Sequence, residues 1–267
     1  MDYVEEPDNG VMSPYAEIGI RDVGKLPVLH PGDVSPAYRL IWEMAFEVGP
    51  WPHTPLGRVA ASLARVHAGL ARAALIPLGR RRRGFAGARV VKSVRSVFTS
   101  EWVAEIYRPR VVVVHRGVLN ILASWLERKW GAADLVDNPI VRARLEPLGL
   151  WPPPAEPVAN ATWAICALDT ELMATAGRHP DWIVSSHELV TADPERHIRD
   201  LLARSGLDWG PGVGTFLREN DREGTGWEVK RLTSQEGESW KRRLAPEQVD
   251  AALAVIERFA AVELVPG

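Results

Sequence analysis

A run of four valines at residues 111–114 constrains the fold more than any other stretch of the chain. β-Branched side chains favour extended backbone, and a run with no polar face is typical of a strand buried on both sides in a parallel sheet. After Gly117 the apolar residues Leu119, Leu122 and Leu126 return at helical spacing. The pattern therefore predicts a strand followed directly by a helix, which is half of a β-α-β unit.

Arg116 lies at the predicted junction between this strand and its helix, and Ser124 follows about two helical turns later. In open α/β sheets, ligands bind at the carboxyl ends of the strands, beside the N-termini of the following helices. A guanidinium and a hydroxyl at this spacing can contact one anion. An arginine at the end of a strand is also common as a plain surface charge, so the spacing alone leaves both interpretations open.

The composition is that of an ordinary globular protein and excludes several classes of function. The 267 residues carry a net charge of −2, so no overall basic character points to a nucleic-acid partner. The single cysteine, Cys166, excludes an internal disulfide and a cysteine-rich zinc site. No segment reaches the roughly 18 uninterrupted apolar residues of a membrane span, and the acidic N-terminus is unlike a signal peptide. We therefore expect a soluble, cytoplasmic protein without a metal.

A second β-branched stretch, at residues 88–94, predicts another strand, with Lys92 near its carboxyl end. Burying an ammonium group costs several kcal/mol unless an anion neutralises it. The position of Lys92 therefore favours a functional role for this side chain.

Helices and one further strand are predicted around these two strands. Helices are expected at residues 36–46, 56–75, 100–107, 161–176 and 246–262, a further helix is expected from Pro194 to Ser205-Gly206, and a strand at residues 181–186. The proline-rich residues 131–157 are predicted to be irregular.

The residues around Arg116 resemble the segment of sulfotransferases that binds the 3′-phosphate of the sulfate donor, 3′-phosphoadenosine 5′-phosphosulfate. The usual form is R-[ND]-P-x-[DN]-V-x-x-S; Arg116, Asn120 and Ser124 match it, and Val118 replaces the usual proline. The resemblance implies a P-loop-kinase-like parallel sheet flanked by helices, and transfer of a sulfuryl group to a hydroxyl or amine acceptor. It also implies that Arg116, Asn120 and Ser124 hold the donor and that no metal is required.

Residues 92–95 resemble the sulfotransferase stretch K-S-V-H, whose lysine faces the transferring sulfuryl group and whose histidine is a candidate general base. The resemblance therefore implies that Lys92 neutralises the leaving group. Arg95 stands in the place of the histidine, and an arginine cannot accept the proton of the acceptor at neutral pH. The other residues considered as the base are Glu5, Glu6, Glu101 and His115.

Residues 224–244 resemble the C-terminal sulfotransferase segment G-x-x-x-x-R…G-x-W-[KR]-x-x-L, which covers the 3′-phosphate of the donor. Arg231, Gly237, Trp240 and Lys241 match this pattern. The resemblance implies that Arg231, Trp240 and Lys241 contribute to donor binding. A solvated linker into the last helix remains the alternative interpretation.

The phosphate-binding loop of the family, of the type [RK]-S-G-T-T-W, does not occur in this sequence, although residues 3–9 resemble a segment that follows that loop in actinobacterial-type members. We therefore interpret residues 1–267 as one N-terminally incomplete domain that lacks the first, phosphate-loop strand. Two explanations stay open: a start upstream of the given one, or a non-catalytic relative that retains nucleotide binding. A small-molecule kinase on the same fold is a third hypothesis.

The acceptor cannot be read from the sequence. Residues 10–85 are interpreted as a loop and helical insertion on the acceptor side, and they contain four adjacent arginines at residues 80–83. Tryptophan-rich helices would suit an aromatic or lipid-like acceptor and the arginines an acidic one, so a small molecule, a glycan and a lipid all remain candidates.

Overall fold

Short parallel strands and numerous helices make up this α/β protein, whose computed structural model describes residues 2–8, 26–48, 88–222 and 236–262. The chain forms two compact units, Met1–Arg108 and Pro109–Gly267. The interpretation of residues 1–267 as one domain stays a prediction. The predicted helix at residues 56–75, the arginines at residues 80–83 and Arg231 lie outside the described residues.

In the first unit, strand β1 (Asp2–Glu5) pairs in parallel with β2 (Arg89–Lys92), so that Glu5 lies opposite Lys92. Helix α1 (Pro36–Glu43) continues into a π-helical turn, Met44–Val48, and α2 (Ser100–Tyr107) follows a 3-10 turn, Ser96–Phe98. These bounds confirm the helices predicted at residues 36–46 and 100–107.

The core of the first unit forms where the apolar faces of α1 and α2 meet. Tyr38, Ile41 and Trp42 recur at helical spacing on α1, and they pack with the buried Trp102 of α2. Pro36 at the start of α1 supplies a backbone angle that suits the first turn of a helix.

The second unit contains the other two strands and seven helices among its described residues. Strands β3 (Val112–His115) and β4 (Ile183–Ser186) pair in parallel, with His115 opposite Ser186. The helices are α3 (Val118–Glu127), α4 (Pro139–Leu145), α5 (Pro157–Arg178), α6 (His187–Ala192), α7 (Pro194–Arg204), α8 (Pro211–Asn220) and α9 (Pro246–Ala260).

Helix α5 lies at the centre of the second unit and contacts both α3 and α9. Leu122 of α3, Ile165 of α5 and Ala252 of α9 belong to one buried cluster. The predicted inward face of α3 is therefore confirmed at Leu122.

Strand β3 is not buried on both faces, so that part of the prediction is wrong. Val113 is 5% exposed, whereas Val112 and Val114 are 39% and 55% exposed. Successive side chains of a strand point to opposite faces, and α5 packs against β3. One face of β3 is therefore covered by a helix, and the alternate valines remain accessible.

Two helix boundaries in the second unit differ from the prediction. Residues 131–157 are not wholly irregular, since α4 begins there, and the Asn138 side chain accepts hydrogen bonds from the backbone of its first turn. Helix α5 begins at Pro157 with Glu156 as its cap, four residues before the predicted start. Asn160 instead joins two loops, because it accepts from the N–H of Ala132 and donates to the Pro154 carbonyl.

The predictions for β4 and α7 are confirmed. Asp193 accepts a hydrogen bond from the N–H of Arg196, and Pro194 begins α7. Helix α7 ends near Gly206, whose φ of 73° lies in the left-handed region that favours glycine. Within the four described ranges, no helix is long and apolar enough to cross a membrane.

Candidate functional site

Glu188 fixes the junction between β3 and α3, where the candidate site lies. Its Oε1 accepts from the N–H of Gly117 at 2.8 Å, and its Oε2 accepts from the Ser186 hydroxyl at 3.0 Å. A Cβ atom at Gly117 would lie 3.1 Å from Oε1, so glycine permits this close approach. Burial alone would raise the pKa of Glu188, but the hydrogen bonds from Gly117 and Ser186 outweigh it and lower the pKa. The ionised carboxylate thus ties the ends of β3 and β4 together.

Asn120, on the first turns of α3, binds the C-terminal part of the chain that we call the tail segment (residues 236–244). The amide is 2% exposed, and its Nδ2 donates to the Gly237 carbonyl at 2.8 Å and to Glu188 at 3.3 Å. Its Oδ1 accepts from the Ser239 hydroxyl at 3.1 Å and from the N–H of Trp240 at 3.2 Å. All the hydrogen-bonding positions of the amide are used, so Asn120 joins two segments that are far apart in the sequence.

Arg116 lies beside the contact between Asn120 and the tail segment, and it retains unused hydrogen-bonding capacity. Its Nη2 is 3.4 Å from Oε2 of Glu236 in the tail segment, which is a long contact for an ion pair. Its buried Nε has no hydrogen-bond partner among the described residues. Burial lowers the pKa of Arg116, and the charge of Arg243 lowers it further, against the opposing effect of Glu236 and Glu188. The guanidinium therefore remains able to bind another acceptor.

Ser124, the third residue of the predicted motif, lies next to Arg243. The Arg243 Nη2 donates to the Ser124 Oγ at 3.2 Å, while the Nε and Nη2 of Arg243 lie 3.0 and 2.9 Å from Glu127. Arg243 was not predicted as a site residue. The run of three basic residues at 241–243 was the available signal, and the family pattern drew attention to the first of the three.

The other predicted residues of the tail segment have different surroundings. Lys241 forms an exposed ion pair with Glu238, with its Nζ 2.5 Å from the carboxylate. The backbone N–H of Trp240 donates a hydrogen bond to Asn120 Oδ1, and the centre of the Trp240 ring lies 5.7 Å from the Lys241 Nζ. Arg243 is therefore the cation of the tail segment that contacts α3.

His187 adds a second buried nitrogen to the surroundings of Arg116. Its Nδ1 has no hydrogen-bond partner among the described residues. Burial and the charge of Arg116 lower the pKa of His187, partly opposed by Glu188 and Glu236, and this shift favours the neutral imidazole. Buried polar atoms without partners are rare in native proteins and call for an explanation such as a bound ligand.

In the first unit, Lys92 ends β2 and lies between two carboxylates. Its Nζ is 3.3 Å from Oε1 of Glu5 and 3.2 Å from Oε1 of Glu6. The side chain is 44% exposed, so the premise that its ammonium group is buried is wrong. Although burial lowers the pKa of Lys92, the hydrogen bonds and charges of the two glutamates outweigh it and raise the pKa. The anions that neutralise Lys92 come from the neighbouring strand and the residue after it.

Asp8 anchors the loops that follow β1 and β2, a role that the sequence analysis missed. Its carboxylate is 1% exposed and accepts from the Ser93 hydroxyl at 2.8 Å and from the Tyr38 hydroxyl at 3.2 Å. Tyr38 also hydrogen-bonds Thr99 at 2.9 Å. The N–H of Arg95 donates to Ser93, so Arg95 belongs to the same loop. This network holds the segment around Lys92 in place.

The remaining candidate bases lie on different elements. Glu101 is in the first turn of α2, and His115 is the last residue of β3. Burial raises the pKa of Asp169 on α5, and electrostatic interaction with His115 opposes that shift. Among the residues that the structure describes, no group of three His, Cys, Asp or Glu side chains could hold a metal ion.

Comparison of the chain with protein-family models, with curated proteins and with solved structures gives no match.

Proposed function

We propose that the protein is a sulfotransferase that uses 3′-phosphoadenosine 5′-phosphosulfate, and that the surroundings of Arg116 hold the 3′-phosphate of this donor. The observation that carries the proposal is the set of hydrogen bonds made by the Asn120 side chain. They hold the tail segment against the helix that carries Ser124, and the resemblance assigns both segments to the same phosphate.

The chemistry of the side chains suits a phosphate monoester. Arg116 can donate from its unpartnered Nε, and hydrogen bonds between a guanidinium and phosphate are short and strong. Glu236, at 3.4 Å, is a weakly held partner that a doubly charged phosphate would displace. The Ser124 hydroxyl of α3 can also donate to an anion.

The proposed reaction is an in-line displacement at sulfur. The acceptor oxygen or nitrogen forms a bond to sulfur, the bond between sulfur and the bridging oxygen breaks, and adenosine 3′,5′-bisphosphate leaves. The resemblance assigns to Lys92 the neutralisation of the charge that develops on the bridging oxygen. Glu5 and Glu6, which lie beside Lys92, are carboxylates that can take the proton of the acceptor, whereas Arg95 cannot.

The proposal includes the finer fold, a P-loop-kinase-like parallel sheet. Two features support it: both described strand pairs are parallel, and α3 follows β3 after a two-residue junction. All-parallel sheets occur almost only in α/β proteins, with helices on their faces.

A non-catalytic nucleotide-binding protein is the second candidate. Two observations favour it: Lys92 is already engaged by two carboxylates, and an arginine stands in the place of the family's histidine. This candidate shares the 3′-phosphate site and lacks the transfer step.

Calorimetry with adenosine 3′,5′-bisphosphate tests the site that both candidates share. We expect the wild-type chain to bind and Arg116→Ala to weaken binding by tenfold or more, since a partly buried hydrogen bond to a charged group is lost (about 1.5–3 kcal/mol). Arg142→Ala is the matched control, because Arg142 is an exposed arginine of the same unit that pairs with Glu146. Equal affinities of the wild type and Arg116→Ala would refute the proposal.

Release of adenosine 3′,5′-bisphosphate from the sulfate donor, in the presence of a panel of hydroxyl and amine acceptors, separates the two candidates. A sulfotransferase should release it in an acceptor-dependent manner, and Lys92→Ala should slow that release. A binding protein should bind the bisphosphate without turnover. A phosphoryl-transfer assay with ATP and magnesium identifies a kinase instead.

A further inference from the structure

We infer that Asp8 is a positioning residue for Lys92: it holds Glu6 in a strained backbone conformation that keeps the Glu6 carboxylate against the Lys92 ammonium group. The functional meaning of this arrangement rests on the proposed role of Lys92 in sulfuryl transfer. Neither the sequence pattern nor the resemblance assigns a role to Asp8, so the inference comes from the geometry of the turn at residues 6–8.

Glu6 has a backbone conformation that its sequence disfavours. Its φ of 43° lies in the left-handed region, where the side chain of a non-glycine residue crowds the backbone. The next residue is Pro7, and a residue before proline is normally extended. Two local preferences therefore oppose this conformation, and contacts with other parts of the chain must hold it in place.

The strained turn brings two groups of Glu6 to Lys92. Strands β1 and β2 pair as far as Glu5 and Lys92, and the N–H of Glu6 then donates to the Lys92 carbonyl at 2.7 Å. Glu5 and Glu6 both contact the Lys92 Nζ, at 3.3 and 3.2 Å. Successive side chains of a regular strand point to opposite faces. The turn at Glu6 is therefore what allows both carboxylates to reach the same ammonium group.

Asp8 anchors the far end of this turn to the segment that follows β2. Both oxygens of its buried carboxylate lie 2.8 Å from the Ser93 hydroxyl, and Ser93 is the first residue after β2. The Ser93 oxygen in turn accepts from the N–H groups of Arg95 and Ser96. The hydroxyl of Tyr38, on α1, donates to the same carboxylate at 3.2 Å. The strained turn is therefore held at both of its ends.

The charges around Lys92 agree with this arrangement. Although burial lowers the pKa of Lys92, the hydrogen bond and the charge of Glu6 raise it, with further increases from Tyr3 and Glu5. Glu6 is the largest of these raising influences, and its side chain is 13% exposed whereas that of Glu5 is 45% exposed. Movement of the Glu6 carboxylate is therefore the change to which the ammonium group responds most.

Titration of Lys92, followed by carbon NMR of its Cε methylene group, measures this effect without any substrate. Asp8→Ala removes the anchor, Glu6→Gln removes the charge that acts on Lys92, and the double variant combines the two changes. Asp33→Ala is the matched control, because Asp33 is an exposed carboxylate of the same unit that accepts from the backbone N–H of His30.

We expect Asp8→Ala to lower the measured pKa of Lys92, with a proton affinity about twofold to fivefold weaker, because Glu6 leaves its strained conformation. In the Glu6→Gln background the same replacement should cause no further change, because Asp8 acts through Glu6. Asp33→Ala should titrate as the wild type does. If Asp8→Ala folds poorly, Tyr38→Phe removes one hydrogen bond from Asp8 and should give the same pattern with a smaller decrease.

An equal decrease in the wild-type and Glu6→Gln backgrounds would overturn the inference, since Asp8 would then act on Lys92 without Glu6. An unchanged pKa of Lys92 in Asp8→Ala would overturn it as well. Failure of the proposed function gives a different result. In that case the coupling between Asp8 and Glu6 persists, while release of adenosine 3′,5′-bisphosphate from the sulfate donor does not depend on Lys92.

Discussion

Replacement of Asn120 by alanine should detach the tail segment from α3 without unfolding the rest of the second unit. Asn120 makes four hydrogen bonds through its buried side-chain amide, three of them to Gly237, Ser239 and Trp240 of the tail segment. Helix α3 itself is held by Leu122 in the buried cluster with α5 and α9, and that packing does not involve the amide.

The cost of this replacement can be estimated from the groups that it leaves without partners. An ordinary hydrogen bond contributes about 0.5–1.5 kcal/mol net, and a buried polar group left unpaired costs about 1–3 kcal/mol. The Ser239 hydroxyl can rotate toward another acceptor, whereas the Gly237 carbonyl and the Trp240 N–H have fixed directions. We therefore expect the docking of the tail segment to weaken by about 2–4 kcal/mol.

Amide hydrogen exchange at Trp240 measures this change directly, because its N–H donates to the Asn120 side chain. A loss of 2–4 kcal/mol predicts exchange that is faster by roughly 30- to 1,000-fold. Asn220→Ala is the control, since Asn220 is an exposed asparagine whose amide donates to the Phe216 carbonyl within α8. Exchange at Trp240 that stays within about threefold of the wild type in Asn120→Ala would refute the reasoning.

Three further predictions concern buried or paired titratable groups. The Cys166 thiol should resist iodoacetamide in the native protein and react after denaturation, since burial and Asp169 raise its pKa to about 12; mass spectrometry that finds native labelling at mildly alkaline pH would contradict this. Burial raises the pKa of Asp8, so its contribution to stability is largest below its unfolded pKa and is lost as pH rises through the folded pKa. We therefore expect the free energy of unfolding of the wild type, minus that of Asp8→Asn, to fall as pH rises. Urea unfolding measures this difference, and a difference that stays constant with pH would contradict the prediction. Glu236→Gln should bind adenosine 3′,5′-bisphosphate about twofold to tenfold more tightly, because it removes the carboxylate that competes for Arg116; unchanged or weaker binding in calorimetry would show that Glu236 is not a competitor.

The strand and helix around Arg116 could be predicted because their signals are local. The valine run specifies extended backbone, and the spacing of leucines specifies the buried face of α3. Once α3 is placed, helix geometry puts Asn120 and Ser124 on successive turns, and Arg116 lies in the junction before the helix. The position of Arg116 at the end of β3 followed from this local pattern.

The partners of these residues could not be predicted, since they come from distant parts of the chain. Glu188 lies 71 residues after Gly117, and Arg243 lies 119 residues after Ser124. Neither pairing leaves a periodic signal in the sequence. The family pattern drew attention to Lys241, while the direction of the turn at Ser239–Arg242 brings Arg243 to α3.

Two predictions about burial failed for the same physical reason. A strand of four valines and a strand ending in Lys92 were both expected to be enclosed. In the structure alternate valines of β3 are exposed, and Lys92 is accessible between Glu5 and Glu6. Burial depends on what packs against each face of a strand, and the residue types of the strand alone do not specify that.

The most direct test of the central claim is the phosphorus NMR spectrum of adenosine 3′,5′-bisphosphate during titration with the protein. The two phosphates give separate signals, so the spectrum reports which of them is bound. We predict that the signal of the 3′-phosphate shifts and broadens with the wild-type chain and stays at its free position with Arg116→Ala. A 3′-phosphate signal that does not respond to the wild-type chain, or a response confined to the 5′-phosphate, would contradict the account.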